Sequence, residues 1–147
     1  MAKSSAVAVT IVFMLSLFTS LAAADEDSNF VPYMVAGTAK ALDGNHIMVD
    51  DMEVRLWGIV APERNTWSGA AAASFLSASI DGTDIRCRLT GKRIYKRPIA
   101  VCFLPDGQDV SAMIVAEGLA LDCQRMSGGR YAHLESNKRL PYPSYCM

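Results

Sequence analysis

Residues that commonly hold zinc are scarce in this sequence. It has two histidines and four cysteines, and no two of the cysteines form a C-x-x-C pair. Structural zinc sites usually draw two of their ligands from such a closely spaced pair. A structural zinc site is therefore not expected.

The sequence also lacks an excess of charge of one sign and any late apolar run. Its 14 basic and 15 acidic residues give a formal net charge of -1, which provides no general attraction to nucleic acid or an anionic membrane. After the N-terminal segment, no stretch is long and apolar enough to span a bilayer. No repeat or low-complexity linker interrupts residues 30–146, which favours one domain.

The N-terminus has the three-part pattern of a secretory signal. Lys3 supplies a positive charge, residues 6–21 are mostly apolar, and residues 22–24 are small alanines at the cleavage position. We predict a signal peptide over residues 1–24 and one mature domain over residues 25–147. An uncleaved membrane anchor is the alternative.

All four cysteines, Cys87, Cys102, Cys123 and Cys146, lie in the predicted mature domain. An even number in an exported domain is typical of a disulfide framework, and four cysteines allow three pairings. We favour Cys87–Cys102 and Cys123–Cys146, which close loops of about 16 and 24 residues and would each contribute about 3 kcal/mol. Free structural thiols are the alternative.

Apolar and polar residues alternate in short segments that predict β-strands. These segments are residues 35–42, 47–49, 53–57, 85–89 and 99–104. Residues 58–68 are predicted as a loop, while the alanine-rich residues 70–80 and residues 110–117 are predicted as helices. Five short strands with two or three helices predict an α+β fold, a five-stranded OB-like β-barrel with helices packed on it.

Two arginines and one carboxylate form the most distinctive group of polar residues. Arg55 lies mid-strand, Glu63 follows Pro62 in a loop, and Arg97 ends a basic stretch; His46 is expected in a tight turn. Guanidinium groups match phosphate oxygens, and a carboxylate can position or deprotonate water. Each residue also has a purely structural explanation, as a solvated or ion-paired surface group.

Four ordered segments resemble the thermonuclease (staphylococcal nuclease-like) family. They are residues 41–47, 54–63, 95–100 and 106–120, and the match extends over about residues 35–135. The resemblance implies an OB barrel, a Ca²⁺ ion held by two aspartates, two arginines on the phosphate and a glutamate acting on water. By position, the arginines correspond to Arg55 and Arg97, and the glutamate to Glu63.

The implied calcium site departs from the family pattern. The family's Asp-Gly-Asp-Thr is Asp43-Gly44-Asn45-His46 here, and Val60 replaces the aspartate of Gly-Ile-Asp-Ala-Pro-Glu. Calcium affinity depends on the number of anionic oxygens, so Asp43 and Asn45 would form at most a weak site. We expect no calcium cofactor, and we expect calcium-dependent nuclease activity to be absent or severely reduced.

The resemblance also assigns roles to residues outside these segments. Cys87 and Cys102 fall on two strands that pair in the family's fold, and the C-terminal segment resembles a secreted bacterial branch whose tail is tied by a second bridge. Arg130 and Tyr131 are auxiliary candidates for lining the phosphate cleft. Their alternative role is that of ordinary surface residues.

Two functions remain open at this point. The loss of both metal carboxylates favours an accessory protein that binds an anionic polymer, while a nuclease acting on DNA or RNA, with His46 as a metal-free base, is the alternative. Some proteins resembling this one serve exopolysaccharide (succinoglycan) biosynthesis. The expected partner is thus nucleic acid or another anionic polymer, and we expect a monomer without stable membrane insertion in the bacterial periplasm or outside the cell.

Overall fold

The structure is a computed structural model that describes residues 33–136 and 139–147. The predicted signal peptide, residues 1–24, lies outside these ranges. The elements in chain order are β1 (Met34–Ala41), β2 (His46–Val49), β3 (Met52–Leu56), β4 (Ile59–Val60), α1 (Trp67–Ile80), β5 (Asp84–Ile94), β6 (Arg97–Phe103), α2 (Val110–Ala116), β7 (Leu121–Asp122) and α3 (Gln124–Ser127), with short 3₁₀ turns at Ala132–Leu134 and Ser144–Cys146. Within the described ranges, the helices are all too short or too polar to cross a membrane.

Five strands form a closed barrel in the order β1-β2-β3-β6-β5. Neighbouring strands are antiparallel except β3 and β6, which run parallel and close the barrel. Strand β5 shows the alternation expected of a wall with one buried face, since Cys87 and Leu89 are buried while Arg86 and Arg88 are exposed. The barrel and its helices confirm the predicted OB-like α+β fold.

The barrel interior and the helices share one hydrophobic core. Val54 and Leu56 of β3 are fully buried, as are Leu76 of α1 and Ile114 of α2. Full burial of an aliphatic side chain stabilises a fold by about 1.5–3 kcal/mol. Because Val54 and Leu56 face the interior, the residue between them must face the outside of the barrel.

Several strand and helix boundaries differ from the sequence expectation, and three of these differences lie near the residues singled out in the sequence. The short strand β4 lies inside the predicted loop 58–68, where it pairs with β7. Helix α1 begins at Trp67 rather than residue 70, because the Thr66 side chain accepts a hydrogen bond from Gly69 N at 3.0 Å and caps the helix. His46 was expected in a turn, but it is the first residue of β2.

Both favoured disulfides are present. Cys87 and Cys102 are directly opposite each other on β5 and β6, so this bridge ties two strands of the barrel. Cys123 and Cys146 join the start of α3 to the C-terminal tail. With Val60, Leu121 and Leu140, these last two cysteines form a second small hydrophobic cluster, which holds the tail against β4 and β7. The two bridges indicate an oxidising environment.

Candidate functional site

A pocket of about 320 Å³ opens on the outside of the barrel beside β2 and β3. Its lining comes from three parts of the chain: the β2–β3 hairpin with the preceding turn, the loop that follows β4, and the C-terminal tail. The lining residues are Asp43, Asn45, His46, Arg55, Val60, Ala61, Pro62, Glu63, Arg64, Pro141, Tyr142, Pro143 and Tyr145. Five candidates from the sequence therefore meet at one site, namely Asp43, Asn45, His46, Arg55 and Glu63.

Arg55 is the buried charge of this pocket, with an exposed fraction of 8%. Its Nη2 donates a weak hydrogen bond of 3.4 Å to the carbonyl oxygen of Ile59, and its Nε has no hydrogen-bond partner among the described residues. Burial lowers the pKa of Arg55, and Arg97 lowers it further, whereas Tyr145, Asp43 and Glu63 oppose the change. Because the N–H donors of this guanidinium are only partly hydrogen-bonded within the protein, the group is suited to binding an anion.

Asp43 and His46 form a pair on the wall of the pocket. The Asp43 carboxylate accepts hydrogen bonds from the backbone N–H groups of Asn45 at 2.7 Å and His46 at 2.8 Å. Its Oδ2 lies 3.0 Å from His46 Nδ1. Burial raises the pKa of Asp43, but these hydrogen bonds outweigh it and the pKa is lowered. Because His46 is opposite Arg55 in the β2–β3 register, both side chains lie on the same face.

The two groups that would be expected to bind calcium are engaged in the fold. Asn45 donates from Nδ2 to the Ala61 carbonyl at 3.0 Å and accepts from Ala61 N at 2.8 Å, so its amide joins the hairpin to the loop. Asp43 is held by His46, and Val60 contributes only an apolar surface. Within residues 33–136 and 139–147, no three His, Cys, Asp or Glu side chains are grouped to hold a metal. These residues do not fit a calcium ion.

Glu63 is held at the pocket by the start of helix α1. Its carbonyl oxygen accepts hydrogen bonds from Thr66 N at 3.0 Å and Thr66 Oγ1 at 2.8 Å. Gly69 lies so close that a Cβ at this position would overlap the Glu63 carbonyl. The backbone of Glu63 is thus fixed, while its side chain is exposed at the rim of the pocket.

Arg97 lies near this pocket but not in its lining. It is the first residue of β6, and its Nε forms an ion pair with Glu53 of β3. Its charge is close enough to lower the pKa of Arg55. The geometry therefore gives Arg55 the central place, with Arg97 as a neighbouring positive charge.

Arg130 and Tyr131, the auxiliary candidates from the sequence, are not among the residues that line this pocket. Tyr131 is buried, and its hydroxyl donates to Asp109 at 2.9 Å. Burial and Asp109 raise the pKa of Tyr131. Arg130 lies 6.0 Å from the ring centre of Trp57 and lines a separate groove with it. Its Nη2 lies 3.5 Å from Asp109 Oδ2, so Arg130 pairs with the same carboxylate as Tyr131.

The sequence interpretation missed the residues that the tail brings to the pocket. Tyr142 and Tyr145 were not among the predicted site residues, and neither was Arg64, whose Nη1 donates to the Leu42 carbonyl at 2.7 Å. The sequence feature that pointed to the tail was the predicted disulfide between Cys123 and Cys146. That bridge predicts that the tail returns to the domain, but it does not specify the surface that the tail covers.

A closed OB-like barrel with a buried arginine in a surface pocket is the class of protein that this fold and site define. No family model matches the chain. The succinoglycan biosynthesis protein ExoI of Rhizobium meliloti (strain 1021) is 29% identical over 121 residues, which cover 71% of this chain and 61% of ExoI. The chain thus spans less than two thirds of the length of this relative. The similarity is distant.

Proposed function

We propose that this chain is an exported accessory protein of exopolysaccharide biosynthesis that binds a phosphate-bearing ligand or anionic polymer through Arg55 without calcium. The observation that carries the proposal is Arg55 itself, which lies in an open pocket at 8% exposure with an Nε that makes no hydrogen bond to any residue the structure describes. The distant similarity to a succinoglycan biosynthesis protein supports the biological setting. The thermonuclease resemblance supports phosphate as the group that the arginine meets.

The contacts of Asp43 and Asn45 support binding without a metal. Both side chains hold the turn and the loop together, so recruiting them to calcium would break hydrogen bonds of 2.7–3.0 Å. Calcium selects sites rich in free carboxylate oxygens. We therefore expect the pocket to bind phosphate equally well with calcium or with chelator.

Titration calorimetry of the oxidised protein with inorganic phosphate tests this function. Arg55→Met should weaken phosphate binding at least tenfold, because it removes the buried charge and keeps a similar apolar stem. Arg88→Met is the matched control, since Arg88 is an exposed arginine of β5 outside the pocket. Equal phosphate affinity in wild type and Arg55→Met would refute the proposal, and so would tight calcium binding that phosphate requires.

A metal-free phosphodiesterase is the second candidate, and the Asp43–His46 pair is the observation that favours it. If Nδ1 of His46 carries the proton shared with Asp43, then Nε2 is free to accept a proton from an attacking water. Arg55 would stabilise charge on the phosphoryl oxygens. Glu63, at the rim of the same pocket, is the other candidate base.

An oligonucleotide cleavage assay with chelator present separates the two candidates. Turnover that falls at least a hundredfold in Glu63→Gln or His46→Ala would support the enzyme. Absence of turnover in the wild type, together with phosphate binding that depends on Arg55, supports the accessory protein. Since Glu63 and His46 hold different positions around the pocket, the two variants also identify which of them is the base.

A further inference from the structure

The C-terminal tail forms one wall of the Arg55 pocket. Pro141, Tyr142, Pro143 and Tyr145 all line it, opposite the β2–β3 hairpin and the loop after β4. The Cys123–Cys146 bridge and the burial of Leu140 hold this segment in place. The tail thus changes a surface trough into a pocket with two aromatic side chains.

Tyr142 is anchored through its hydroxyl group. That group donates to the carbonyl oxygen of Cys146 at 2.9 Å and accepts from Gln124 N at 3.3 Å. The hydroxyl end of the ring is therefore fixed by these hydrogen bonds. Tyr142 is also part of the pocket lining, and 37% of the residue is exposed. A ring fixed in this way loses little conformational entropy when a ligand packs on it.

Tyr145 is the freer of the two aromatic residues. It is 56% exposed. It lines the same pocket as Arg55. An aromatic face and a buried positive charge thus border the same cavity.

Resting on the function proposed above, we propose that Tyr142 and Tyr145 form a ring-binding subsite beside Arg55, so that the ligand is a phosphate group attached to a ring. A volume of about 320 Å³ is far larger than a phosphate ion needs and lies in the range of small-molecule pockets. The flat apolar face of a sugar or a nucleobase packs well on tyrosine. Arg55 binds the phosphate, and the tail tyrosines select what the phosphate is attached to.

Calorimetry with three probes tests the subsite: inorganic phosphate, glucose 1-phosphate and adenosine 5′-monophosphate. At least one ring-bearing phosphate should bind about tenfold more tightly than inorganic phosphate, a difference of about 1.4 kcal/mol. Tyr145→Ala should remove this gain and leave the affinity for inorganic phosphate unchanged. Tyr145→Phe, which keeps the ring, should retain most of the gain. Which ring phosphate binds more tightly identifies a sugar or a nucleotide as the source.

Tyr33→Ala is the matched control, because Tyr33 is 65% exposed and lies outside the pocket. A Cys123→Ser/Cys146→Ser double variant, which frees the tail, should lose the ring preference even where Tyr145→Ala folds poorly. Equal affinity for all three probes in the wild type, or an unchanged preference in Tyr145→Ala, would overturn the subsite while leaving phosphate binding by Arg55 intact. Failure of every probe to bind would overturn the proposed function and the subsite together.

Discussion

Replacing Arg55 by methionine should leave the protein as stable as the wild type, or more stable. An unsatisfied buried donor such as Arg55 Nε costs about 1–3 kcal/mol. The contact that the substitution loses, the hydrogen bond to Ile59, is long at 3.4 Å, so it is worth less than the about 1.5–3 kcal/mol of an ordinary hydrogen bond from a charged group. Asp43 keeps its partner His46, and Glu63 is exposed, so neither carboxylate is left buried and unpaired. The free energy of unfolding should therefore be unchanged or rise by about 1 kcal/mol.

Urea denaturation at neutral pH, followed by circular dichroism, measures this difference, and the same samples serve for the phosphate titration. The expected combination is retained or increased stability with lost phosphate binding, which is typical of a residue kept for function. Arg88→Met should change neither quantity, because Arg88 is exposed and outside the pocket. A loss of more than about 2 kcal/mol in Arg55→Met would show that Arg55 is a structural residue and would refute the reasoning.

Three further predictions concern the supports of the pocket. Gly69→Ala should destabilise the protein by about 1–3 kcal/mol in thermal melts, because its Cβ would overlap the Glu63 carbonyl; an unchanged melting temperature would contradict this close approach. Asp43→Asn should lower stability at pH 7, and because the pKa of Asp43 is lowered by folding, its difference from wild type should shrink as pH falls below about 4 in urea titrations. Cys123→Ser/Cys146→Ser should cost about 3 kcal/mol in the same assay, and a loss below 1 kcal/mol would indicate that the tail folds back without its bridge.

The barrel could be predicted from the sequence because its strands carry short, regular patterns. Ile85, Cys87 and Leu89 alternate with exposed residues, and this period of two marks a wall with one buried face. Strand β4 could not be found in this way. It has two residues, and its pairing with β7 depends on a segment some sixty positions further along the chain.

Much of the candidate site could be predicted from the sequence because most of its residues are close together along the chain. Asp43, His46, Arg55 and Glu63 lie within one hairpin and the loop after it, so sequence neighbours become spatial neighbours. Arg130 lies far from this hairpin in the sequence, and its ion pair with Asp109 is a tertiary contact that no local pattern predicts.

The position of the tail residues could not be predicted from sequence patterns, for a different reason. Tyr142 and Tyr145 lie in a short segment without regular strands, whose position depends on Leu140 and Cys146 packing against Val60. Packing between distant segments leaves no periodic signal in either of them. The paired cysteines indicated that the tail returns, and only the folded chain places it on the pocket.

The bridge between Cys123 and Cys146 makes the shape of the pocket depend on the compartment as well as on the sequence. The tail wall is joined covalently to α3 only when both cysteines are oxidised. In a reducing solution the tail wall would be held by noncovalent contacts alone, such as the packing of Leu140 with Val60 and Leu121. A binding assay on reduced protein would therefore examine a pocket whose tail wall lacks the covalent link of the oxidised protein.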